Sequence, residues 1–395
     1  MKNPLQSHLH KITGDDRRLQ PIFYRLQRRQ DAAALRKLLK SRQVLGVSDD
    51  YSEQLKELYA INHPTEVYQP DFQQRFQKFL ASLGPLADQG VWVYFPWNGN
   101  LVHILPERDF FKVRTARNRY LINEKEQQKY YDAVIGIGGL SVGNSVLLSI
   151  VLQGGGRHIR IADFDRLALS NTNRVRGSIT ALGMKKAEMT ARQIYEINPF
   201  AKIEIFGEGL TPSNIGKFFI GPPKLDIVID ELDNIAVKFL IRQQAKQHRV
   251  PVIMGADDGD NAVIDIERYD LKPAPKFFHG RLGNVTYEQL RGLDKFGIGK
   301  TITQHIGPEN ITERMQQSLL AMGKTIVSWP QLGGAALLNG SAVAYCVRRI
   351  VNGQTLERNR SIISLDEKLI PDYNSKTQRR NRNKIANQFK KMFGL

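Results

Sequence analysis

Between Ala133 and Met254 short, β-branched apolar runs recur at 133–137, 158–162, 202–206, 226–229 and 251–254, each divided from the next by a helix-length segment. Such alternation is the mark of βαβ units, because a parallel strand needs a crossover to bring the chain back to the same end of the sheet. The spacing predicts an α/β fold built on a doubly wound, mostly parallel sheet. Ligands on such sheets bind beyond the carboxyl ends of the strands. The candidates for chemistry therefore lie at those ends, from Gly136 to Asn234.

The first end reads DAVIGIGGLSVG. Gly136, Gly138 and Gly139 would let the backbone turn tightly and approach phosphate or ribose without a Cβ, and the next helix would offer its N-terminal N–H groups to negative charge. Ser141 replaces the third glycine of the dinucleotide fingerprint, with Gly143 two residues on, so the helix should pack differently from a standard NAD site. Asp163, closing the second run, can accept both ribose hydroxyls, a role shared by ATP and NAD. Asn171, Asn173 and Arg174, followed by Lys186, bring amides and cations to the same rim. That is more positive charge than a nicotinamide needs, and it suits the oxygens of a triphosphate. Lys185 beside Lys186 leaves open which of the two points inward. In DELDN, Asp230 and Asp233 close the fourth run. Magnesium is usually held by one or two carboxylates with phosphate oxygens and water, and Asp233 is the expected ligand because it lies past the strand end. Its neighbour Asn234 can hydrogen-bond the nucleotide, and a helix N-cap is the competing role for such residues.

Outside this core the chain divides into an N-terminal region over 1–112, the core over 113–356 and a basic tail over 357–395. Residues up to about 88 read as polar helices. WVYFPW and LVHIL flank Asn98-Gly99-Asn100, a hairpin signal, with Pro96 marking its strand as an edge. Arg114, Arg117 and Arg119 cluster directly ahead of the glycine loop, as a basic linker or a phosphate contact. The segment 272–328 reads as a long excursion with one or two helices; its His279 and His305 could touch substrate or make structural contacts. The run 330–353 reads as one small-residue helix. The lone cysteine, Cys346, leaves no internal disulfide and no thiol-rich zinc site; its apolar neighbours favour core packing. The net charge of +18 favours acidic partners such as ATP, nucleic acid, anionic lipid or an acidic protein, or serves solubility alone. Over the last 25 residues, Lys376, Arg379, Arg380, Arg382, Lys384, Lys390 and Lys391 face a single acid, Asp372, and Ile385, Phe389, Met392 and Phe393 form an apolar stripe. Contact with nucleic acid or membrane would fit it, as would a helix docked on its own domain. The absence of a long apolar run and of a signal-peptide core predicts a soluble, cytoplasmic protein.

The glycine loop, DFD, SNTNR, GMKK and DELDN, in that order, resemble the ThiF, MoeB and ubiquitin-activating superfamily over roughly 114–270, and the helix 330–353 resembles that fold's closing helix. The resemblance implies a Rossmann-like sheet and ATP-dependent adenylation of a carboxylate, often a protein's C-terminal glycine, with release of pyrophosphate. It implies that Asp163 holds the ribose, that Asn173, Arg174 and Lys186 handle the phosphates and that Asp233 holds Mg2+. It also implies a homodimer in which Arg117, from RTAR, reaches the partner's phosphates. The LSVG variant and the WVYFPWNGNLVHILPE region are similar to a bacterial subgroup, some members of which are fused to a nitroreductase-like domain. Two departures matter. The CxxC pairs of many relatives are absent, and no cysteine stands in the excursion, so a thioester step is not expected. Lys238 stands where some relatives have arginine. A nucleotide-binding partner module without chemistry and an NAD(P)-dependent oxidoreductase are the rival classes.

Overall fold

The computed structural model describes residues 19–356 and 359–395. It divides into two compact units, one holding the described residues up to Ile122 with Asn198–Phe200, the other holding Asn123–Ile197 and Ala201–Leu395.

The first unit is built on a four-stranded sheet of order β1-β3-β4-β2, with β1 at Ile22–Tyr24, β2 at Gly46–Asp49, β3 at Val91–Phe95 and β4 at Asn100–Ile104. The predicted hairpin is β3 and β4, antiparallel with Val93 opposite Val102. Two expectations are corrected. Ile22–Tyr24 pairs with β3 instead of continuing a helix, since Pro21 ahead of it fixes φ and supplies no N–H; the helix runs only over Arg29–Lys40. The hairpin is also central in the sheet: Pro96 falls just after β3 ends, where no ladder bond is lost. His103 is fully buried between the rings of Tyr51 and Trp92, and its nitrogens meet Asp49 and the Gln89 carbonyl, each at 2.9 Å. It is a satisfied core histidine.

The second unit carries a seven-stranded sheet. Its parallel part runs β7 (Lys202–Phe206), β6 (His158–Ala162), β5 (Val134–Gly138), β8 (Ile227–Asp230) and β9 (Val252–Asp258). These are the five apolar runs of the sequence. β10 (Asn261–Glu267) and β11 (Arg360–Ile363) extend it antiparallel. The chain starts in the middle at β5, winds outward through β6 and β7, then crosses back to β8, which creates a crevice between β5 and β8 at their carboxyl ends.

The helix Val142–Leu152 follows β5 and is apolar on nearly every side, as a helix buried on all faces must be. It packs under Gly333–Val351, the predicted small-residue helix. A Cβ on Gly340 would stand 2.8 Å from the Ser145 backbone, so only glycine permits the approach. Cys346 lies buried on this helix, and burial pushes its thiol up to about 11, far from the thiolate a nucleophile needs. The excursion folds into the helices Tyr287–Arg291, Lys295–Ile306 and Glu313–Ala321. The tail forms the helix Lys376–Phe393, whose Ala386, Phe389 and Phe393 are buried; Phe389 and Phe393 cluster with Ile311 and Leu319 of the excursion. Among the described residues no helix is long and apolar enough to cross a membrane.

Candidate functional site

At the end of β5 the chain turns through Gly139, whose φ of +86° belongs to glycine. A Cβ there would lie 2.2 Å from the carbonyl oxygen of Glu231, so this turn and the loop after β8 are fitted to one another. Gly136 and Gly138 lie within β5 instead of after it. A Cβ on Gly136 would strike Leu225 and Phe218, which makes its lack of side chain a packing requirement. Ser141 makes no capping bond to its helix. Its Oγ instead accepts from Arg174 Nε at 2.9 Å, and the first-turn N–H groups remain available to an anion.

Asp163 is buried at the end of β6, and its two carboxylate oxygens accept from Leu140 N and Asp165 N, each at 2.7 Å. Burial raises its carboxyl and Lys186 opposes that rise. Lys186 is the inward lysine, 5% exposed and 2.9 Å from Asp165. Lys185 turns away to Glu208. Asn171 and Asn173 are both engaged locally. The oxygen of Asn171 accepts from Ala168 N, whereas Asn173 donates to the Gln331 carbonyl at 2.8 Å and accepts from Arg174 at 3.0 Å. Asn173 thus steers the guanidinium.

The two aspartates of DELDN have opposite environments. Asp230 is fully buried, 2.6 Å from Arg242 and 3.3 Å from Lys238. Burial alone would raise its carboxyl, but Lys238 and Arg242 hold it below the usual carboxylate range. Arg242 in turn pairs with Glu267 at 2.6 Å. This is a buried charge network that locks β8 to the following helix Ile235–His248 and to β10. Asp233 is exposed at the mouth of the crevice, and its carboxylate bonds to no described side chain. Desolvation by the crevice walls raises it, and Lys238, Lys186 and Arg174 all pull it back. Cations from three separate elements thus act on this carboxylate, with Asp165 opposing them. Asn234 is the N-cap of the helix Ile235–His248, its oxygen accepting from Ala236 N at 3.0 Å and Val237 N at 3.1 Å; only its amide nitrogen is left to face a ligand. Arg117 is exposed in the short turn Ala116–Asn118 of the first unit.

Three further groups belong to this crevice. Glu231 accepts from Gly255 N at 2.8 Å, and burial raises its carboxyl well above the ordinary value against the pull of Lys238. Asp257, at the end of β9, accepts from Asn339 and Gln331. Both line a cavity with Ser141, Asp233, Lys238 and His305. The candidates drawn from the sequence stop at Asn234 and so miss Asp257, although the strand-end rule applies to β9 as it does to β6; Glu231 lies within DELDN but is passed over for its two aspartates. His279 is tied to Asp265 at 2.6 Å, a structural contact. A magnesium ion fits this donor set only if phosphate oxygens complete its shell: Asp233 offers one free carboxylate, and among the described residues no cluster of three or more metal-ligating side chains is present.

A parallel sheet whose strand order reverses beside a glycine turn, an uncapped helix N-terminus and two cations makes this a doubly wound α/β protein with a crevice at its switch point. Residues 115–264 match the model of the ThiF family and form a ThiF-family domain. The uncharacterised protein MT1398 of Mycobacterium tuberculosis is 34% identical over 299 residues, which is 73% of this chain and 41% of that protein. The tRNA threonylcarbamoyladenosine dehydratase of Escherichia coli is 26% identical over 204 residues, 50% of this chain and 72% of that protein. A solved complex of E. coli MccB with ATP aligns at a TM-score of 0.45 and 17% identity, over 67% of this chain and 77% of that one. The chain thus spans less than half the length of its mycobacterial relative.

Proposed function

We propose that this chain is a ThiF-type adenylyltransferase that activates a carboxylate with ATP and Mg2+. A carboxylate oxygen attacks the α-phosphorus, the bond from that phosphorus to the bridging oxygen of the β-phosphate breaks, and pyrophosphate leaves with the electron pair. Asp163 would accept the ribose hydroxyls, and the Gly139 turn with the N-terminus of Val142–Leu152 would receive phosphate. Arg174, steered by Asn173 and Ser141, would act with Lys186 to neutralise the charge that grows on the leaving oxygens. Asp233 would hold Mg2+ together with the phosphates, and Arg117 would serve a second copy of the chain in a homodimer. The substrate is a protein or peptide C-terminus or a small acid. With its sole cysteine buried on the core helix, transfer proceeds directly from the acyl-adenylate to an external nucleophile.

The observation that carries this reading is the rim itself, where the Gly139 turn and an uncapped helix N-terminus stand with Arg174, held by Ser141 and Asn173, and with the inward Lys186. A nicotinamide site has no use for such a concentration of charge; a metal-bound triphosphate requires it. ATP–pyrophosphate exchange driven by candidate carboxylates is the test. Exchange that depends on Mg2+ and on an added acid supports it. Tight ATP binding with no exchange under any acid would favour a nucleotide-sensing partner module, and NAD binding that ATP cannot displace would revive the oxidoreductase.

A further inference from the structure

Beside Asp233 the crevice includes a cavity of about 140 Å3. Its charged lining is Glu231, Asp233, Lys238, Asp257 and Asp258. Its apolar lining includes Met254 and Val263 from the sheet and Ile302, Ile306, Met315 and Leu319 from the excursion. A cavity of about this size is large enough for a group the size of a benzene ring. A C-terminal glycine, which has no side chain, would leave the cavity empty.

A second observation comes from His305. Its ring lines the cavity and the residue is 1% exposed. Nδ1 has no hydrogen-bond partner among the described residues, and Nε2 stands 3.4 Å from Asp265 without forming a hydrogen bond. Asp265 is already engaged by His279 and Arg360. Burial holds the imidazole well below its ordinary pKa, so the ring is neutral. A buried, unpaired polar nitrogen costs about 1–3 kcal/mol unless something meets it. A ligand bearing one hydrogen-bonding atom beside an apolar group would do so.

From these contacts, and resting on the adenylation reading above, we infer that the cavity selects the substrate: the activated carboxylate carries a bulky apolar group, of leucyl or phenyl size, which fills the space between Met254 and Leu319 while a polar atom beside it meets His305. This differs from the C-terminal glycine that the family resemblance implies. The same chemistry could arrive as a free branched or aromatic acid or as a peptide ending in a large apolar residue.

Pyrophosphate exchange by the full chain separates these cases. The substrates are isovalerate, 3-phenylpropionate, acetate and tetrapeptides ending in Leu, Phe, Gly or Asp. The expected result is a kcat/KM at least tenfold higher for apolar acids, or for Leu- and Phe-ended peptides, than for acetate and for Gly- and Asp-ended peptides; which arm responds identifies the source. Leu319→Trp should then raise KM for the preferred substrate about tenfold, with circular dichroism verifying the fold. Equal or better exchange with the Gly-ended peptide overturns the pocket assignment while leaving adenylation intact, and so does exchange with no preference at all. ATP binding with no exchange from any apolar substrate overturns it too. Failure to bind ATP at all defeats the adenylation reading itself. The substrate panel uses the unmodified protein, so the result does not depend on the variant folding.

Discussion

The two walls of the crevice are made of opposite materials. The wall at the strand ends is polar, and apart from Asp233 its main groups are held by short bonds to nearby backbone or to a neighbouring side chain: Asp163 by Leu140 N and Asp165 N, Arg174 by Ser141 and Asn173, Glu231 by Gly255 N. The wall supplied by the excursion is mostly apolar and is positioned by packing, with Ile311 and Leu319 resting against Phe389 and Phe393 of the C-terminal helix. Charge stabilisation needs groups fixed before the reaction begins, and strand ends supply that rigidity. Shape selection needs only a surface of the right volume, which packed helices supply and can vary without disturbing the sheet. Under the proposed adenylation, chemistry would fall to one wall and choice of substrate to the other.

The largest effect should come from a charge that serves the fold. Asp230→Ala would leave Arg242 and Lys238 buried without their carboxylate, and removing one member of a buried ion network typically costs about 3–5 kcal/mol. Urea unfolding should show the loss as a lower midpoint with an unchanged slope. A variant as stable as the parent would mean that the network is not the lock between β8, the helix behind it and β10.

Asp233→Ala tests the opposite kind of charge. Its exposed carboxylate holds nothing in place, so the unfolding midpoint should stay within about 0.5 kcal/mol of the parent. Mg2+-dependent exchange should fall by about 100-fold, equivalent to roughly 2.7 kcal/mol of transition-state stabilisation. If the variant keeps its exchange rate, Asp233 is not the metal ligand. If it unfolds instead, the division between structural and functional aspartates within DELDN fails.

Asp258 joins the two walls. It ends β9, and one of its oxygens accepts from Thr312 N at 2.8 Å and Thr312 Oγ1 at 3.1 Å, at the start of the excursion helix Glu313–Ala321. Burial pushes its carboxyl up to about 6, with Asp366 adding to the rise and the Thr312 bonds opposing it. The folded value lies above the ordinary one near 3.8, so the folded state holds this proton more tightly than the unfolded chain does. The resulting stability is complete below about 4 and is lost as pH rises through about 6. Asp258→Asn keeps an oxygen for Thr312 and stays neutral. The variant should therefore match the parent near pH 4 and exceed it by up to about 2–3 kcal/mol at pH 7.5. Thermal melts of both proteins across that range would read the difference, and a constant offset would show that Asp258 does not titrate in this window.

How far each wall could be read in the sequence follows from the same contrast. Asp163, Arg174, Lys186 and Asp233 stand at fixed offsets from apolar runs, so topology alone carries them to one rim. The inward choice of Lys186 over Lys185 needed the helix phase. Gly136 reads as a ligand glycine beside Gly139, yet its space is filled by Phe218 and Leu225, contacts set by a later crossover. The N-terminal sheet was half visible: the hairpin has a local turn signal, whereas Ile22–Tyr24 is a strand only because β3 is there to pair with it. The apolar wall left almost no local trace. His305 and Leu319 lie in different helices, and nothing in their spacing shows that both line one cavity with Met254.

Asn234 gives the smallest and most discriminating effect, because its two amide atoms are divided between the roles that the walls keep apart. The oxygen caps the helix Ile235–His248, and the nitrogen is left for a ligand. Asn234→Ala removes both, and loss of such a cap should cost about 1 kcal/mol of stability. Asn234→Asp retains a capping oxygen of equal quality and a favourable charge at the helix N-terminus, so it should recover that stability. It lacks the donor, however, and a neutral hydrogen bond of about 1 kcal/mol corresponds to roughly fivefold in affinity. ATP titration should accordingly find both variants weakened by about that factor, with Asn234→Asp further handicapped by a negative charge beside the phosphates. If Asn234→Asp binds ATP as tightly as the parent, the residue is a cap alone, and recognition of the nucleotide at this rim is left to Asp163, Arg174 and Lys186.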